Sequence, residues 1–322
     1  MRPTRIALAG LIVVATWASA IALVVDEDGG GNAAARHQQA SQSRTVLTAH
    51  TPDAGTAPIA VTPLAVRPAA KPTEVQISLK DPPRAGLLFD VDSGQVLWQL
   101  HPRRQLPIAS LTKMMTALVI AERHRLNERV RITRQALNYS GSGIGVLPRG
   151  RRVSLKPLLY GLLLVSGNDA AIALAQHDAR SQRRFVARMN SRARALGLTC
   201  SRFSTPSGIL DRGNHSCALD LATLARLDLQ DPVIRRIVAT RRARFGFPIK
   251  GGVLDLFNIN PFIARGDPGV TGVKTGLTDA AGRCYVITAR LGGRNLGVVL
   301  LNSPDPLGQI PRLLQAGANA RE

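Results

Sequence analysis

From Leu155 to Val165 the chain reads Leu-Lys-Pro-Leu-Leu-Tyr-Gly-Leu-Leu-Leu-Val, a nearly all-apolar run of helical length. A helix without a polar face cannot lie on a protein surface, so this one must be interior. At about 1.5 Å per residue it reaches only about half the thickness of a bilayer's hydrocarbon core, so it does not span a membrane. Ser166-Gly167-Asn168 interrupts the run before Ala170 to Ala175 continue it. Serine and asparagine are ordinary turn residues that can end one helix and cap the next. A turn alone does not account for polar side chains set inside so apolar a helical pair, which makes Ser166 and Asn168 candidates for chemistry.

A second buried helix precedes this one. In Pro107-Ile108-Ala109-Ser110-Leu111-Thr112-Lys113-Met114-Met115-Thr116-Ala117-Leu118-Val119, the residues Leu111, Met114, Met115, Leu118 and Val119 recur at helical spacing. Pro107 stands just upstream, where a proline does least harm. Ser110 and Lys113, three apart, share a face. A hydroxyl at a helix N-terminus sits in positive potential, and desolvation pulls down the pKa of an amine beside it, so the pair can serve as nucleophile and base. A lone Ser-x-x-Lys is also what a solvated helix face shows. Composition separates the two readings: of 42 Lys plus Arg, only six are lysine, at 71, 80, 113, 156, 250 and 274. Arginine cannot be deprotonated in a protein and lysine can, so a lysine kept in an arginine-biased chain is a candidate for work that needs an amine. Lys274-Thr275-Gly276 holds another of the six, in a strand where Gly272 and Gly276 let a second backbone approach closely. A surface strand with an incidental lysine is the plain alternative.

Ser-x-x-Lys, Ser-x-Asn and Lys-Thr-Gly, in this order, form the signature of penicillin-binding proteins and class A β-lactamases. With the surrounding text Pro-Ile-Ala-Ser-Leu-Thr-Lys-Met-Met-Thr-Ala, Val-Ser-Gly-Asn-Asp-Ala-Ala and Gly-Val-Lys-Thr-Gly, the chain resembles the D-alanyl-D-alanine carboxypeptidases and endopeptidases of the low-molecular-mass penicillin-binding proteins. The resemblance runs from about Ala85 to about Asn302. It implies that Ser110 attacks the carbonyl of the penultimate D-alanine of a peptidoglycan stem peptide while Lys113 takes its proton. Terminal D-alanine then leaves, and water hydrolyses the acyl-enzyme. Ser166 would relay a proton to the leaving amine and Asn168 would hold the substrate amide. Lys274 would take the terminal carboxylate, with Thr275 as a hydrogen-bond donor beside Gly276, and the N–H groups of Ser110 and Leu277 would form the oxyanion hole. β-Lactam antibiotics are the implied inhibitors, and no cofactor is needed.

Class A β-lactamases deacylate with a glutamate between the second and third motifs, and this chain has no glutamate from Arg129 to Arg321. Slow turnover of penicillin is therefore expected. A binding or sensor module that never turns over is the non-enzymatic alternative, which the intact motif residues disfavour. Many carboxypeptidases of the resembled family carry a second, all-β domain; here about 20 residues follow Asn302, as in the shorter endopeptidase type. A histidine-based serine hydrolase finds no Gly-x-Ser-x-Gly elbow, and no Cys/His spacing suggests zinc.

Twenty residues without a charge, Ile6 to Val25, follow Arg2 and Arg5 and precede Asp26, Glu27 and Asp28. That length spans a bilayer, and the basic flank stays inside, so the remainder is exported and membrane-attached or released to the wall. Ala18-Ser19-Ala20 offers a cleavage site, whereas apolar Ile21 to Val25 beyond it favours a retained anchor. Residues 26–84, rich in Ala, Pro, Thr, Gln and Gly without a sustained period, read as a disordered linker, and 85–322 as the catalytic domain. A net charge of +21 raises nucleic acid as a partner, but the arginines are scattered without aromatic interleaving. Anionic wall polymers or lipid headgroups fit a basic exported surface better, and an arginine-rich genome is an equally simple source. Three cysteines in an exported protein suggest one bridge, Cys200 with Cys217 at the ends of one loop, leaving Cys284 in a buried strand.

For the fold, Leu87–Val91 and Gln95–Leu100 read as a hairpin, and Gly272–Gly276, Arg283–Leu291 and Asn295–Asn302 as three further strands. Arg129–Thr133 and the loop Gly141–Gly150 read as irregular, and Gln309–Ala316 as a closing helix. Strands at both ends with helices between predict an α+β fold. The resemblance makes this an antiparallel five-stranded sheet flanked by helices with an inserted all-helical region.

Overall fold

Asp90 closes the first hairpin. In a computed structural model, which describes residues 64–69 and 73–320, β1 (Ala85–Asp90) pairs antiparallel with β2 (Val96–Leu100). Asp90 Oδ1 accepts hydrogen bonds from the N–H groups of Asp92 and Ser93, the local bonding that makes aspartate a turn residue. β3 (Leu106–Pro107) then leads through a 3₁₀ turn (Ala109–Leu111) into α1 (Thr112–Arg123). Thr112 to Ile120 are all buried, so α1 is enclosed on every side through its first nine residues.

β4 (Arg129–Arg131), α2 (Arg134–Leu137) and β5 (Arg152–Ser154) follow, with β4 paired to β5. The irregularity expected at Arg129–Thr133 is corrected by this ladder. Val130 points inward between exposed Arg129 and Arg131, and Val153 between exposed Arg152 and half-buried Ser154, but three residues per strand are too few to register as a pattern. α3 (Leu155–Leu164) is the apolar helix, buried everywhere but Lys156. α4 (Asn168–Ala179) starts at the interrupting motif, and α5 (Gln182–Ala195) is capped by Ser181, whose Oγ accepts from the Arg184 N–H. β6 (His215–Ser216) pairs with β3 and precedes α6 (Ala218–Gln230). Asp231 then caps α7 (Pro232–Val238), accepting from Val233 and Ile234 N–H with Pro232 in the first turn. A small hairpin of β7 (Arg242–Gly246) and β8 (Val253–Phe257) and the one-turn α8 (Pro261–Arg265) complete the insertion.

The chain returns to the sheet as β9 (Val270–Thr278), β10 (Gly282–Leu291) and β11 (Arg294–Leu301), and ends in α9 (Pro306–Asn319). The five-stranded order is β2-β1-β11-β10-β9, antiparallel throughout. Alternation assigns the faces. Leu87, Phe89, Val286, Val299 and Leu301 join the core shared with the helical insertion, whereas Leu88, Ile287, Val298 and Leu300 pack beneath Ile310, Leu313 and Leu314 of α9. Each such aliphatic side chain, fully buried, contributes about 2 kcal/mol before entropy is counted. The fold is α+β, with the helical region inserted between β2 and β9.

The linker expected over 26–84 is corrected at its C-terminal end. Val66 and Val75 are buried; the Val66 N–H donates to Thr223 Oγ1, and the Val75 N–H donates to the Leu97 carbonyl. Val75, Ile77 and Leu79 alternate with polar residues, a period-2 pattern that the Ala/Pro/Thr-rich composition of the stretch obscured, and Ile77 and Leu79 pack with Val75. The expected segment Ile6–Val25 lies outside the described residues. Among those described, no helix is long and apolar enough to cross a membrane. Cys200 and Cys217 are joined by a disulfide with Cα atoms 5.6 Å apart. The Cys284 thiol is free and buried, and burial pushes its pKa up to about 12.

Candidate active site

The turn before α1 sets Ser110 at the wall of a cavity of about 330 Å³. Ala109, immediately before it, takes a φ of 47°, a left-handed conformation that costs a non-glycine residue roughly 1–2 kcal/mol. The conformation is held by its neighbours: a Cβ on Gly208 would come within 2.0 Å of the Ala109 carbonyl oxygen. Lys113 Nζ lies 2.8 Å from Ser110 Oγ and 2.7 Å from the Ser207 carbonyl. Only an N–H can satisfy the carbonyl, so an unprotonated amine spends a hydrogen there and keeps its lone pair for the serine proton.

Lys113 is fully buried, and its pKa is held well below the usual lysine range. Desolvation is the main cause and the charge of Lys274 the second, with Asp169 pulling the other way. Lys274 is also buried, and desolvation lowers its pKa to about 7; its Nζ donates to the Thr275 carbonyl at 2.7 Å. Two amines in one dry site are thus poised so that one is neutral while the other carries the charge.

Ser166 faces the same cavity. Its φ is 57°, and its Oγ is buried without a hydrogen-bond partner. A buried hydroxyl left unmatched beside a cavity is available to a ligand, and the strained backbone fixes its direction. Asn168 Nδ2 donates to the Ser140 carbonyl at 2.6 Å, while its Oδ1 has no partner. Thr275, Gly276 and Leu277 of β9 form the opposite wall. Gly276 is required by closeness, because a Cβ there would sit 3.0 Å from both the Ser110 nitrogen and the Ile108 carbonyl oxygen. Ser110, Ser166, Thr275, Gly276 and Leu277 therefore line one cavity, with Lys113, Lys274 and Asn168 buried behind its wall.

Ser142, Ile259, Arg283 and Tyr285 line the cavity too. Ser142 belongs to the loop expected to be irregular, which Asp169 holds in place: its carboxylate accepts from the N–H groups of Ile144 and Gly145, both at 2.9 Å. Asp169 follows Asn168 directly, and that adjacency was the available signal. Ser207 acts through its backbone carbonyl, which no residue type advertises. The Pro-Ser-Gly turn between the two cysteines was the only hint. A larger cavity, about 400 Å³ between Asp92, Arg226 and Arg290, is lined by none of these residues.

The profile of the D-alanyl-D-alanine carboxypeptidase family matches residues 76–305. A D-alanyl-D-alanine carboxypeptidase of Mycobacterium tuberculosis is 37% identical over 68% of this chain and 75% of its own. One of Bacillus subtilis is 31% identical over 69% of this chain, a match that spans 58% of the relative's length. A D-alanyl-D-alanine endopeptidase of Escherichia coli is 30% identical over 68% of this chain and 71% of its own. Among solved structures, a carboxypeptidase from Mycobacterium tuberculosis superposes with a TM-score of 0.71 at 33% identity, covering 77% of this chain and 96% of that one. The Streptomyces K15 DD-transpeptidase gives 0.70 at 27% identity, covering 75% and 99%.

Proposed function

Because the chain belongs to the D-alanyl-D-alanine carboxypeptidase family, we propose that it removes the terminal D-alanine from peptidoglycan stem peptides through an acyl-enzyme on Ser110. The observation that carries this reading is the contact of 2.8 Å between Ser110 Oγ and the fully buried amine of Lys113. The hydroxyl proton passes to Lys113 as Oγ attacks the penultimate carbonyl. The oxyanion forms beside the backbone N–H groups of Ser110 and Leu277, where losing one donor costs about 3–4 kcal/mol of barrier. Ser166 Oγ, unmatched in the free protein, delivers the proton to the departing D-alanine amine, and Asn168 orients the substrate amide. A substrate carboxylate beside Lys274 restores the charge that burial disfavours, and Thr275 shares it. Water then attacks the ester and frees Ser110.

β-Lactams mimic the peptide and stall at the acyl stage. An exported chain fits the location of peptidoglycan and the disulfide, since such bonds persist in oxidising compartments. The test is release of D-alanine from a D-Ala-D-Ala pentapeptide, with intact mass after penicillin treatment. One adduct is expected, absent in Ser110→Ala. An adduct that survives Ser110→Ala rejects the nucleophile, and cleavage of cross-linked dimers without D-alanine release from pentapeptide replaces the carboxypeptidase reading by an endopeptidase.

A further inference from the structure

At the end of α1 away from Ser110, three side chains that are far apart in sequence converge. His124 follows the last residue of α1, Glu128 lies just before β4, and His177 sits in the last turn of α4. Glu128 Oε2 is 2.9 Å from His124 Nδ1 and 2.8 Å from His177 Nε2. The imidazole centroids are 4.9 Å apart. The other carboxylate oxygen, Oε1, accepts the Arg125 N–H at 2.7 Å, which aims Oε2 at the two rings.

The far nitrogen of His124 meets a second carboxylate. Nε2 lies 3.0 Å from Asp178 Oδ1, a carboxylate whose side chain is 0% exposed and which also binds Arg123 and Arg188. A carboxylate held by two arginines accepts, so the Nε2–H of His124 donates to Asp178 and Nδ1 is left facing Glu128. Nδ1 of His124 and Nε2 of His177 thus converge on the same carboxylate oxygen, three donor-capable ligand atoms from three elements gathered at one point.

We propose that His124, His177 and Glu128 bind one divalent first-row transition ion, of which zinc is the natural probe. One ligand atom from each residue lies within 4.8 Å of the other two, close to the roughly 3–4.4 Å that a single ion with bonds of about 2.0–2.2 Å sets between its ligands. Two imidazoles and one carboxylate suit zinc and its neighbours rather than calcium or magnesium, which prefer all-oxygen sets. Asp178 behind His124 is the carboxylate–histidine arrangement that orients a metal-ligating ring. Arg123 and Arg188 neutralise Asp178, so Glu128 alone meets the ion with charge. Glu128 is 34% exposed, so water can complete the coordination. The ion would tie the outer ends of α1 and α4, whose inner ends carry Lys113 and Asn168; it stands about 18 Å of helix from the nucleophile and takes no part in the reaction.

The full chain, stripped with a chelator and titrated with zinc by calorimetry, should bind one equivalent, and its melting temperature should rise with zinc. Cobalt substituted for zinc should give visible absorption typical of mixed nitrogen and oxygen ligation. His177→Ala should lose the equivalent and the thermal shift, with circular dichroism reporting that the variant is folded; Glu128→Ala serves if it is not. Asp178→Asn should bind about 10- to 100-fold more weakly. Undiminished zinc binding in folded His177→Ala or Glu128→Ala would overturn the site. So would a wild-type chain that takes up no zinc, or one stabilised by acidification from pH 7 to 6 while zinc shifts nothing, since protons would then fill the gap.

Discussion

In the proposed mechanism Lys113 and Lys274 do opposite work with the same functional group, and their burial makes that measurable. Lys113 must be neutral to accept the serine proton, so activity rises as pH climbs through its depressed pKa. Lys274 must be charged to hold a carboxylate, so kcat/KM falls once pH passes about 7. A bound carboxylate raises the Lys274 pKa, so the falling limb of kcat should lie at higher pH than that of kcat/KM, and a pH profile of each on the pentapeptide checks it. Lys113→Arg should slow acylation by about 10²–10⁴, read by stopped-flow with a chromogenic β-lactam. Lys274→Met should raise KM sharply yet raise the melting temperature near pH 7, because an amine whose pKa drops from 10.5 to about 7 on burial opposes folding by on the order of 4 kcal/mol. By the same linkage the wild-type chain gains this stability as pH rises from about 7 toward 10.5, where the unfolded state gives up the same proton. Ser110, Lys113, Ser166 and Lys274 were legible in the sequence because each motif is contiguous and its residue types carry the chemistry. The Ser207 carbonyl was not, because any residue supplies one.

The elements around the site act through what they hold still. Asp169 fastens the 141–150 loop to α4 by two charge-assisted hydrogen bonds, so Asp169→Asn should destabilise by about 1–3 kcal/mol in urea unfolding and displace the Ser142 wall. The loop between Cys200 and Cys217 supplies the Ser207 carbonyl to Lys113, which links a redox bond to the base. Reduction should cost about 3 kcal/mol for a closed loop of this size and should also slow acylation of Ser110, although no motif residue is touched. An acylation rate unchanged in fully reduced, folded protein would break that link. The helix after Ser110 was legible from period 3.6, α3 from its unbroken apolar run and the five sheet strands as short apolar runs between turns, whereas the thirteen residues of α6 drew no reading from the sequence. The two-residue ladders of β3 with β6 and the three-residue ladder of β4 with β5 were not, because pairing so short is decided by tertiary contacts.

For the molecule as a whole, the packing of the helical insertion leaves the helix that follows Ser110 with no free side. Nine successive residues of α1 are enclosed, between α3, α4, α5 and α6. The early segment of Val66 and Val75 escaped a compositional reading because the stretch is dominated by Ala, Pro and Thr, although Val75, Ile77 and Leu79 alternate with polar residues. Deuterium uptake gives the enclosure of α1 another meaning. Amides from Met114 to Ile120 should exchange only when the entire domain unfolds, hours behind those of the exposed residues of the 141–150 loop. The serine is thus mounted on the slowest clock in the protein, while the exposed residues of the loop that carries Ser142 run faster, so a penicillin adduct should slow exchange in the loop and leave the helix as it was.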